Sequence, residues 1–337
     1  RQPGSCIKPL NVYTPYLQLG NTPDTKVTDS QIDGGPANAD ASYAGEMTLT
    51  DAVKWSKNTV AWNIYQQITP KTGSSFLIKM GFHKIWVDKD YNAGALGGFT
   101  YGVTTEEMAG GYAALANDGV YRKATCIRLI VNASNKTVVN ETNRDSKVYD
   151  KSASRMMTQM LREVVLSGTG TSANVENAVV AGKTGTTNAS KDVWFCGYSK
   201  YYTTTVWAGY DYPKEMSGVN SRVNAIFKDF MTAVHTNLPV TDFSTVTQQT
   251  TQPETTAAVQ EETQSLPQET TAIVPEMETT GIEQVTPQQV PSTTAQVPTT
   301  TPYQRWTTAP AQPKTTAPMQ YGDIDATTRT DPDATAR

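Results

Sequence analysis

The amino-acid sequence predicts a mixed α/β (α+β) fold in which helices flank a central antiparallel sheet. Residues 1–116 alternate helical hydrophobic patterns with turn residues. Three short segments rich in β-branched and aromatic residues follow between 178 and 209, and their connections are too short for crossover helices. An amphipathic segment at 224–234 supplies a last helix to cover the sheet.

Helices are predicted in the first half of the chain from their caps and breakers. Ser5 can open the first helix, with Pro9 in its early part, where a missing N–H costs little. Either Thr48 or Thr50 can cap the second, and Asp51 suits the positive end of its dipole. The other elements of this half are a surface loop at 22–43 and helices at 60–65, 75–80 and 105–116.

Strand patterns begin in the second half. Two apolar runs on either side of a polar turn predict a hairpin, and a segment with apolar residues at helical spacing follows it. The hairpin strands are predicted at 126–131 and 137–139, the helix at 152–165, the sheet strands at 178–181, 193–198 and 203–209, and the last helix at 224–234.

Composition divides the chain of 337 residues into two parts. Residues 1–241 have the composition of one large domain, whereas 242–337 are dominated by Thr, Pro, Gln and Glu. That tail has too little apolar surface to offset the entropy of ordering it, so we expect it to be disordered. The net charge of −4 argues against nucleic acid as the main partner, and no apolar run reaches the ~18 residues of a membrane helix.

Cysteine and histidine are too sparse for the usual metal, redox or triad chemistry. The spacing of Cys6, Cys126 and Cys196 matches neither a zinc site nor a redox pair, so we expect three small buried side chains. His83 lies in a loop between helices, and His235 ends the last helix, where a cation is favourable. Neither lies in a motif, so any serine chemistry here needs a base other than histidine.

A lysine three residues after a serine offers such a base. Ser5 and Lys8 share one face of the predicted helix, so the Lys8 amine can reach the Ser5 hydroxyl. A desolvated lysine near other cations has a lowered pKa and can accept the serine proton. A nucleophile at a helix N-terminus also faces backbone N–H groups that stabilise an oxyanion. The pattern alone is weak evidence.

A second candidate is the triplet Ser56-Lys57-Asn58, which lies between two predicted helices. Ser56 offers a hydroxyl that can relay a proton, and Asn58 offers an amide that can hold a substrate amide. Helix capping by either side chain is the favoured explanation when the triplet is taken alone.

Lys-Thr-Gly occurs twice, and the two copies differ in context. The copy at 71–73 follows Pro70 and precedes a predicted helix, so it is interpreted as a loop with Thr72 or Ser74 as the N-cap. The copy at 183–186 follows an apolar run and precedes a strand, which would place its Lys and Thr side chains on a strand edge, free to bind a carboxylate. Gly185 there would let a substrate backbone approach closely.

The three elements occur in the order Ser-x-x-Lys, Ser-x-Asn and Lys-Thr-Gly, a trio found in serine β-lactamases and penicillin-binding proteins. The segment from Arg1 to Pro9 resembles the nucleophile segment of class A (bifunctional) penicillin-binding proteins. The resemblance runs to about residue 235 and leaves the tail outside. Its other segments are 47–52, 56–61, 95–103, 107–109, 167–171, 181–187, 192–198 and 227–231.

The resemblance implies a role for each residue of the first two motifs. Ser5 would be the acylated nucleophile and Lys8 its base. Ser56 would pass a proton to the departing amine, and Asn58 would hold the substrate peptide.

The third motif would bind the terminal carboxylate of the substrate. The resemblance assigns this to Lys183, Thr184 and Thr186, with Lys183 also tuning the electrostatic field around Ser56. The backbone N–H groups of Ser5 and Thr186 would form the oxyanion hole. No metal or organic cofactor is implied.

The resemblance also implies a substrate, a location and a fold. The substrate would be a peptidoglycan stem peptide ending in D-Ala-D-Ala, supplied by a lipid-linked precursor, and β-lactams would be inhibitors. The catalytic domain would lie on the extracytoplasmic face of a bacterial cell membrane, anchored by a segment upstream. The sheet would be of the penicillin-binding/serine β-lactamase type without the strands that precede the nucleophile in the family.

Three alternatives remain at this stage. A D,D-carboxypeptidase would use water as the acceptor with the same motifs, although the class A signature favours transpeptidation. A β-lactam-binding sensor would be acylated without turnover, and intact Ser56, Asn58 and Lys183 slightly favour an enzyme. A serine β-lactamase is less favoured, because the glutamates show no signature of a deacylating base.

Overall fold

The central sheet has three antiparallel strands that lie side by side in the order of the sequence. The computed structural model describes residues 1–140 and 145–245. In it, β7 is Ala181–Thr186, β8 is Asp192–Tyr198 and β9 is Thr203–Gly209. The predicted strands at 193–198 and 203–209 are thus confirmed. The first strand begins at Ala181 rather than Ala178, so the Lys-Thr-Gly motif lies within the strand instead of following it.

Both faces of the sheet are covered, which explains why all seven residues of β8 are buried. Trp194, Cys196 and Tyr198 point into the large core that contains the N-terminal helices. Val193 and Phe195 point to the opposite face, into a second core. The two cores confirm the prediction of a helix-flanked antiparallel sheet.

Seven α-helices and three further pairs of strands surround this sheet within the described residues. The helices are α1 (Thr14–Gln18), α2 (Leu49–Lys54), α3 (Asn58–Ile68), α4 (Pro70–Lys79), α5 (Thr105–Ala116), α6 (Lys151–Ser167) and α7 (Val219–Val234). The strands are β1 (Lys26–Asp29) with β2 (Gly45–Thr48), β3 (Val120–Tyr121) with β6 (Ser146–Lys147), and β4 (Leu129–Val131) with β5 (Thr137–Asn140). The last of these pairs is the predicted hairpin.

The segment that contains Ser5 is helical, as predicted, but not a regular α-helix. A 3₁₀ turn covers Gly4–Ile7, a π-helix covers Pro9–Tyr13, and α1 follows. Pro9 has no N–H to donate to a preceding turn, which favours a change of helix type at this point. The Thr14 hydroxyl donates to the Pro9 carbonyl over 2.6 Å and secures the wide turn.

The prediction of a continuous loop at 22–43 was wrong in one part. Residues Lys26–Asp29 form β1, which pairs with β2 in the register Lys26 to Thr48. The strand is short and mostly polar in sequence, which explains why it was not predicted, and in the structure Val27 packs against the core. The remaining part, 30–44, is irregular and crosses the molecule beside α3.

Two helix starts were predicted with different success. Thr48 caps α2 by accepting a hydrogen bond from the Asp51 N–H at 3.1 Å, which decides between Thr48 and Thr50. Helix α4 begins at Pro70, earlier than predicted, and its cap is Thr69 rather than Thr72 or Ser74. The first Lys-Thr-Gly copy therefore forms the first turn of α4 instead of a loop.

The cysteines follow the prediction at two positions out of three. Cys6 and Cys196 are buried, whereas Cys126 is exposed just before the β4–β5 hairpin, so the prediction was wrong there. The apolar residues of that hairpin are themselves exposed, which leaves the Cys126 side chain without a core to enter.

Two further predictions concern a membrane span and the tail. None of the helices in 1–140 and 145–245 is long and apolar enough to span a membrane. The predicted disordered tail lies, from residue 246 onward, outside the described residues. The division into a domain at 1–241 and a tail at 242–337 stays a prediction.

Candidate active site

Ser5 lies half-buried at the side of a cleft of about 1130 Å³. The residues behind it, Cys6 and Ile7, are fully buried, so the turn cannot shift without disturbing the core. Two tyrosine hydroxyls hold the backbone of this segment: Tyr112 donates to the Cys6 carbonyl over 2.8 Å, and Tyr149 donates to the Leu10 carbonyl over 2.5 Å. The serine hydroxyl is thus presented to the cleft from a rigid support.

Glycines allow three backbone segments to meet beside Ser5. Gly4 has φ +52°, and a Cβ there would lie 2.8 Å from the Thr186 carbonyl oxygen. Gly97 has φ +79°, and a Cβ there would lie 2.5 Å from the Gly4 oxygen. Side chains at these positions would separate the strand β7 from the turn that carries Ser5. This close packing places the backbones of Ser5 and Thr186 next to each other.

Gly185 is needed for packing within the protein. It is buried, and a Cβ would lie 2.5 Å from the Pro3 carbonyl oxygen and 2.8 Å from the Cys6 sulfur. The missing side chain therefore makes room for the segment around Ser5, within the protein. That Gly185 also lets a substrate backbone approach stays a prediction.

Lys8 is fully buried and reaches the second motif. Its Nζ donates to the Ser56 carbonyl over 2.9 Å, to the Lys57 carbonyl over 3.4 Å and to Asn58 Oδ1 over 2.7 Å. These three partners are neutral oxygens. Burial and, to a smaller extent, the positive charge of Lys183 hold the pKa of Lys8 well below its ordinary value. The surroundings of Lys8 therefore favour its neutral form.

The second motif connects α2 to α3, as predicted. Ser56 has φ +58°, and both Ser56 and Asn58 line the cleft. Neither side chain caps a helix: the N-cap of α3 is Lys57, without a side-chain hydrogen bond, and Asn58 is the first helical residue. The Asn58 side chain instead bonds to Lys8 and to the Ala37 carbonyl, the latter over 2.9 Å. The capping explanation is thus excluded.

The third motif forms the opposite wall of the cleft. Thr184 and Thr186 line it, whereas Lys183 is fully buried and donates to the Thr184 carbonyl over 3.1 Å. Burial lowers the pKa of Lys183 to about 8, and the neighbouring Cys6 and Cys196 offset part of this shift. The ammonium of Lys183 is thus the charge in this wall that changes most easily near neutral pH.

Other polar side chains orient the two threonines. The hydroxyls of Thr184 and Thr169 lie 2.8 Å apart, and Thr186 donates to Asn220 Oδ1 over 3.3 Å. Lys71, by contrast, is exposed on the first turn of α4 and does not belong to the residues that line the cleft. The choice of the second Lys-Thr-Gly copy over the first agrees with this placement.

The histidines lie outside the cleft lining, in agreement with the structural function predicted for them. His83 Nδ1 is 3.0 Å from Glu107 Oε1 at the start of α5. His235 caps the C-terminus of α7, is buried, and its Nε2 lies 2.8 Å from the Ser199 hydroxyl. No group of three or more His, Cys, Asp or Glu side chains suited to a metal ion occurs among the described residues.

Several residues of the cleft were not singled out from the sequence. Gln2 is bonded to the Phe99 backbone, accepting from its N–H over 2.8 Å, so it anchors the start of the chain at the cleft. Trp55 directly precedes Ser56, and this position next to a candidate motif was the one local sequence signal that could have indicated a cleft residue. The others come from distant loops and helices without such a signal: Asn38, Trp62, Lys191 and Asn220.

Comparison with known proteins gives a consistent family. The model of the penicillin binding protein transpeptidase domain matches residues 1–232. Penicillin-binding protein 1F of Bacillus subtilis (strain 168) is 35% identical over 245 residues, which cover 69% of this chain and 34% of that protein. Penicillin-binding protein 1A of Clostridium acetobutylicum is 32% identical over 257 residues, which cover 72% of this chain and 32% of that protein. The chain thus spans about a third of the length of these curated relatives.

Solved structures share the fold. The penicillin-binding protein PonA1 from Mycobacterium tuberculosis has a TM-score of 0.63 and 22% identity, over 72% of each chain. A second structure of that protein, in complex with penicillin V, has a TM-score of 0.62 and 22% identity, again over 72% of each chain. At 22% identity, these comparisons show a shared fold.

Proposed function

Because the chain belongs to the transpeptidase domain family of class A penicillin-binding proteins, we propose that it is a peptidoglycan D,D-transpeptidase acylated at Ser5. The observation that carries this proposal is the meeting of the three motifs at one cleft. Ser5, Ser56 and Thr186 line it, and Lys8 lies directly behind it. These residues come from distant parts of the sequence, and serine acyl transfer needs a nucleophile, a base and an anion site together.

In the proposed acylation step, neutral Lys8 takes the proton of the Ser5 hydroxyl. The Ser5 oxygen then attacks the carbonyl of the penultimate D-Ala of a stem peptide. The backbone N–H groups of Ser5 and Thr186, brought together by the packing of Gly4, would stabilise the oxyanion. As the C–N bond breaks, Ser56 relays the proton that Lys8 took to the amine of the departing D-Ala, so that Lys8 is neutral again and an ester remains on Ser5.

The carboxylate of the departing D-Ala would be bound by the β7 wall. Hydroxyls of Thr184 and Thr186 are exposed to the cleft, and the charge of Lys183 lies just behind them. On the other wall the Asn58 amide would hold the peptide backbone of the donor stem. Gly185 contributes by letting β7 approach the segment around Ser5.

In the second step, an amine of a neighbouring stem attacks the ester, and Ser5 regains its proton. The cleft volume of about 1130 Å³ slightly exceeds the roughly 300–1,000 Å³ of sites for single small molecules, which suits two peptides meeting at Ser5. Water in place of the amine would make the protein a D,D-carboxypeptidase. A β-lactam-binding sensor would stop at the ester.

The wider context is proposed from the relatives. β-lactams would acylate Ser5, in keeping with the penicillin V complex of PonA1. Lipid-linked precursor would supply the stem peptides, and an upstream segment would anchor the domain to the bacterial membrane on the extracytoplasmic face. Nucleic acid is not expected as a partner, given the net charge of −4.

The acceptor distinguishes the proposed activity from its alternatives. We expect full-length protein, given a fluorescent stem pentapeptide ending in D-Ala-D-Ala and a D-amino acid acceptor, to form an exchange product that increases with acceptor concentration. The reason is that an acyl-enzyme protected from water partitions toward an amine. Chromatography separates the exchange product from the hydrolysed tetrapeptide.

Ser5→Ala is the control for this assay and should give neither product. Hydrolysis alone at every acceptor concentration would show a carboxypeptidase. If the protein is acylated but releases no exchange product or tetrapeptide beyond one equivalent of enzyme, it acts as a sensor. That result would contradict the proposed turnover.

Lys183 should contribute a charge that depends on pH. We expect Lys183→Ala to slow acylation by a fluorescent penicillin roughly 10- to 100-fold at pH 7, as expected for loss of a charge-assisted bond of roughly 1.5–3 kcal/mol. The pKa of Lys183 is lowered to about 8, so the parent protein keeps the charge below that pH and loses it above. The difference between parent and variant should therefore shrink as the pH rises through about 8.

Lys71→Ala is the matched control, because Lys71 belongs to the other Lys-Thr-Gly copy and is exposed on α4. It should acylate like the parent over the whole pH range. Equal losses in both variants, or a difference that does not change with pH, would contradict the assignment of the carboxylate site to Lys183.

A further inference from the structure

Asp29, at the end of β1, holds a buried carboxylate with four hydrogen-bonded partners. Its Oδ1 accepts from Asn38 Nδ2 over 2.6 Å and from the Thr59 hydroxyl over 2.5 Å. Its Oδ2 accepts from the Ala44 N–H over 2.9 Å and lies 3.3 Å from Lys57 Nζ. Burial alone would raise the pKa of Asp29, but these hydrogen bonds lower it below its ordinary value, so the carboxylate is ionised. A buried charge with all its partners in place resists rearrangement.

Asn38 transmits this order to the second motif. Its Oδ1 accepts from the N–H of Asn58 over 2.7 Å and from that of Thr59 over 3.3 Å. These are first-turn donors of α3, which have no partner within the helix. The N-cap residue Lys57 gives them no side-chain acceptor. Asn38 therefore caps α3 from another part of the chain, and its own orientation is set by its bond to Asp29.

The same loop also holds the Asn58 side chain. Asn58 Nδ2 donates to the Ala37 carbonyl over 2.9 Å, while its Oδ1 accepts from Lys8 Nζ. Ala37 and Asn38 line the cleft together with Ser56 and Asn58. The loop 30–44 thus forms part of this wall of the cleft and also holds the Asn58 side chain.

Lys57 fixes the motif from the side opposite the cleft. Its ammonium lies 3.3 Å from Asp29 Oδ2 and 3.1 Å from Asp40 Oδ2, and it donates to the Ser42 carbonyl over 3.2 Å. Ser56, the residue before it, has φ +58°. A serine persists in that region only where the surrounding structure determines it.

We propose that Asp29 and Asn38 are positioning residues for acylation, which hold Ser56 and Asn58 in register with Lys8. The inference rests on the proposed function, because it assigns these residues to the same acylation of Ser5. Neither residue touches the reacting atoms. Each acts through the backbone and side chain of the second motif.

The test uses full-length protein and three variants: Asp29→Asn, Asn38→Ala and the two together. Acylation by a fluorescent penicillin is followed over a range of concentrations, which separates apparent binding from the limiting acylation rate. Melting curves fix a temperature at which every variant is folded. We expect each single change to lower the limiting rate about tenfold or more, since small displacements of catalytic groups have effects of this size.

The double variant should lose little more than the stronger single variant, because both residues act through one chain of contacts. Asp33→Asn is the control: Asp33 is exposed in the same loop and should leave the rate unchanged. If Asp29→Asn does not fold, the result for Asn38→Ala alone decides whether the proposal holds. This variant removes the side chain that caps α3 but keeps the buried Asp29 carboxylate.

Lower melting temperatures with an unchanged limiting rate would overturn the proposal and reduce these residues to a structural function. If the fold losses in limiting acylation rate multiply in the double variant, the two residues act independently. That result would contradict the proposal that they act through one chain of contacts. A parent protein that is not labelled at Ser5 would refute the proposed function, and this inference with it. A labelled parent with unaffected variants would refute the inference alone.

Discussion

We expect Ser5→Ala to abolish covalent labelling of the full-length protein by a fluorescent penicillin. In the proposed mechanism the Ser5 oxygen is the atom that forms the ester, so the variant has no nucleophile for this step. Loss of the nucleophile slows serine hydrolases by on the order of 10⁶-fold, so no adduct should be seen by gel fluorescence or intact mass. The change removes one hydroxyl from a half-buried position and should leave the melting temperature nearly unchanged.

Two controls make this result specific. Ser75→Ala removes a hydroxyl that bonds locally to the Thr72 carbonyl on α4, and should label like the parent. Fragmentation of the labelled peptide from the parent should place the adduct on Ser5 and not on Cys6, whose buried thiol donates to the Lys183 carbonyl over 3.1 Å. Normal labelling of Ser5→Ala would refute the whole proposed mechanism.

Lys8→Ala should have the second largest effect, a loss of roughly 10²- to 10⁴-fold in the acylation rate, as expected for removal of a general base. Burial and the charge of Lys183 keep the pKa of Lys8 well below its ordinary value, which favours the neutral amine that the proposed mechanism needs as the base. Stopped-flow or quenched labelling measures the rate. A structural effect is also expected, because Asn58 Oδ1 and the Ser56 carbonyl lose their donor.

Lys8→Arg separates the two effects. Arginine can still donate to oxygens in this place, but it stays protonated at all accessible pH values and cannot take a proton. We expect Lys8→Arg to be nearly as slow as Lys8→Ala at every pH. Acylation at the parent rate in Lys8→Arg would show that another group is the base.

Local features of the fold could be predicted because they depend on near neighbours in the sequence. Thr48 and Asp51 form a helix cap within one turn, and the apolar run at 193–198 indicates a strand, whose two faces enter two cores in the structure. The start of α4 was misjudged because Thr69 and Pro70 form a better cap and first residue than the serines and threonines that follow.

The members of the candidate site were also accessible from the sequence, but their contacts were not. Spacing indicated Ser5 and Lys8, and context favoured Lys183 over Lys71. That Lys8 donates to Asn58, 50 residues away, is a property of tertiary packing. The same holds for the packing of Gly185 against Pro3 and Cys6.

The sequence by itself determined the chemistry: a serine, two lysines and their polar partners in an order that indicates acyl transfer, and the helices and strands that bear them. Only the tertiary structure decided how these groups are held. Asn38 caps α3 across 20 residues, and Gly4 meets Thr186 from the far end of the domain. The physical reason is that motifs and caps arise from local bonding, whereas burial, pKa and orientation depend on which distant backbones the packed core brings together.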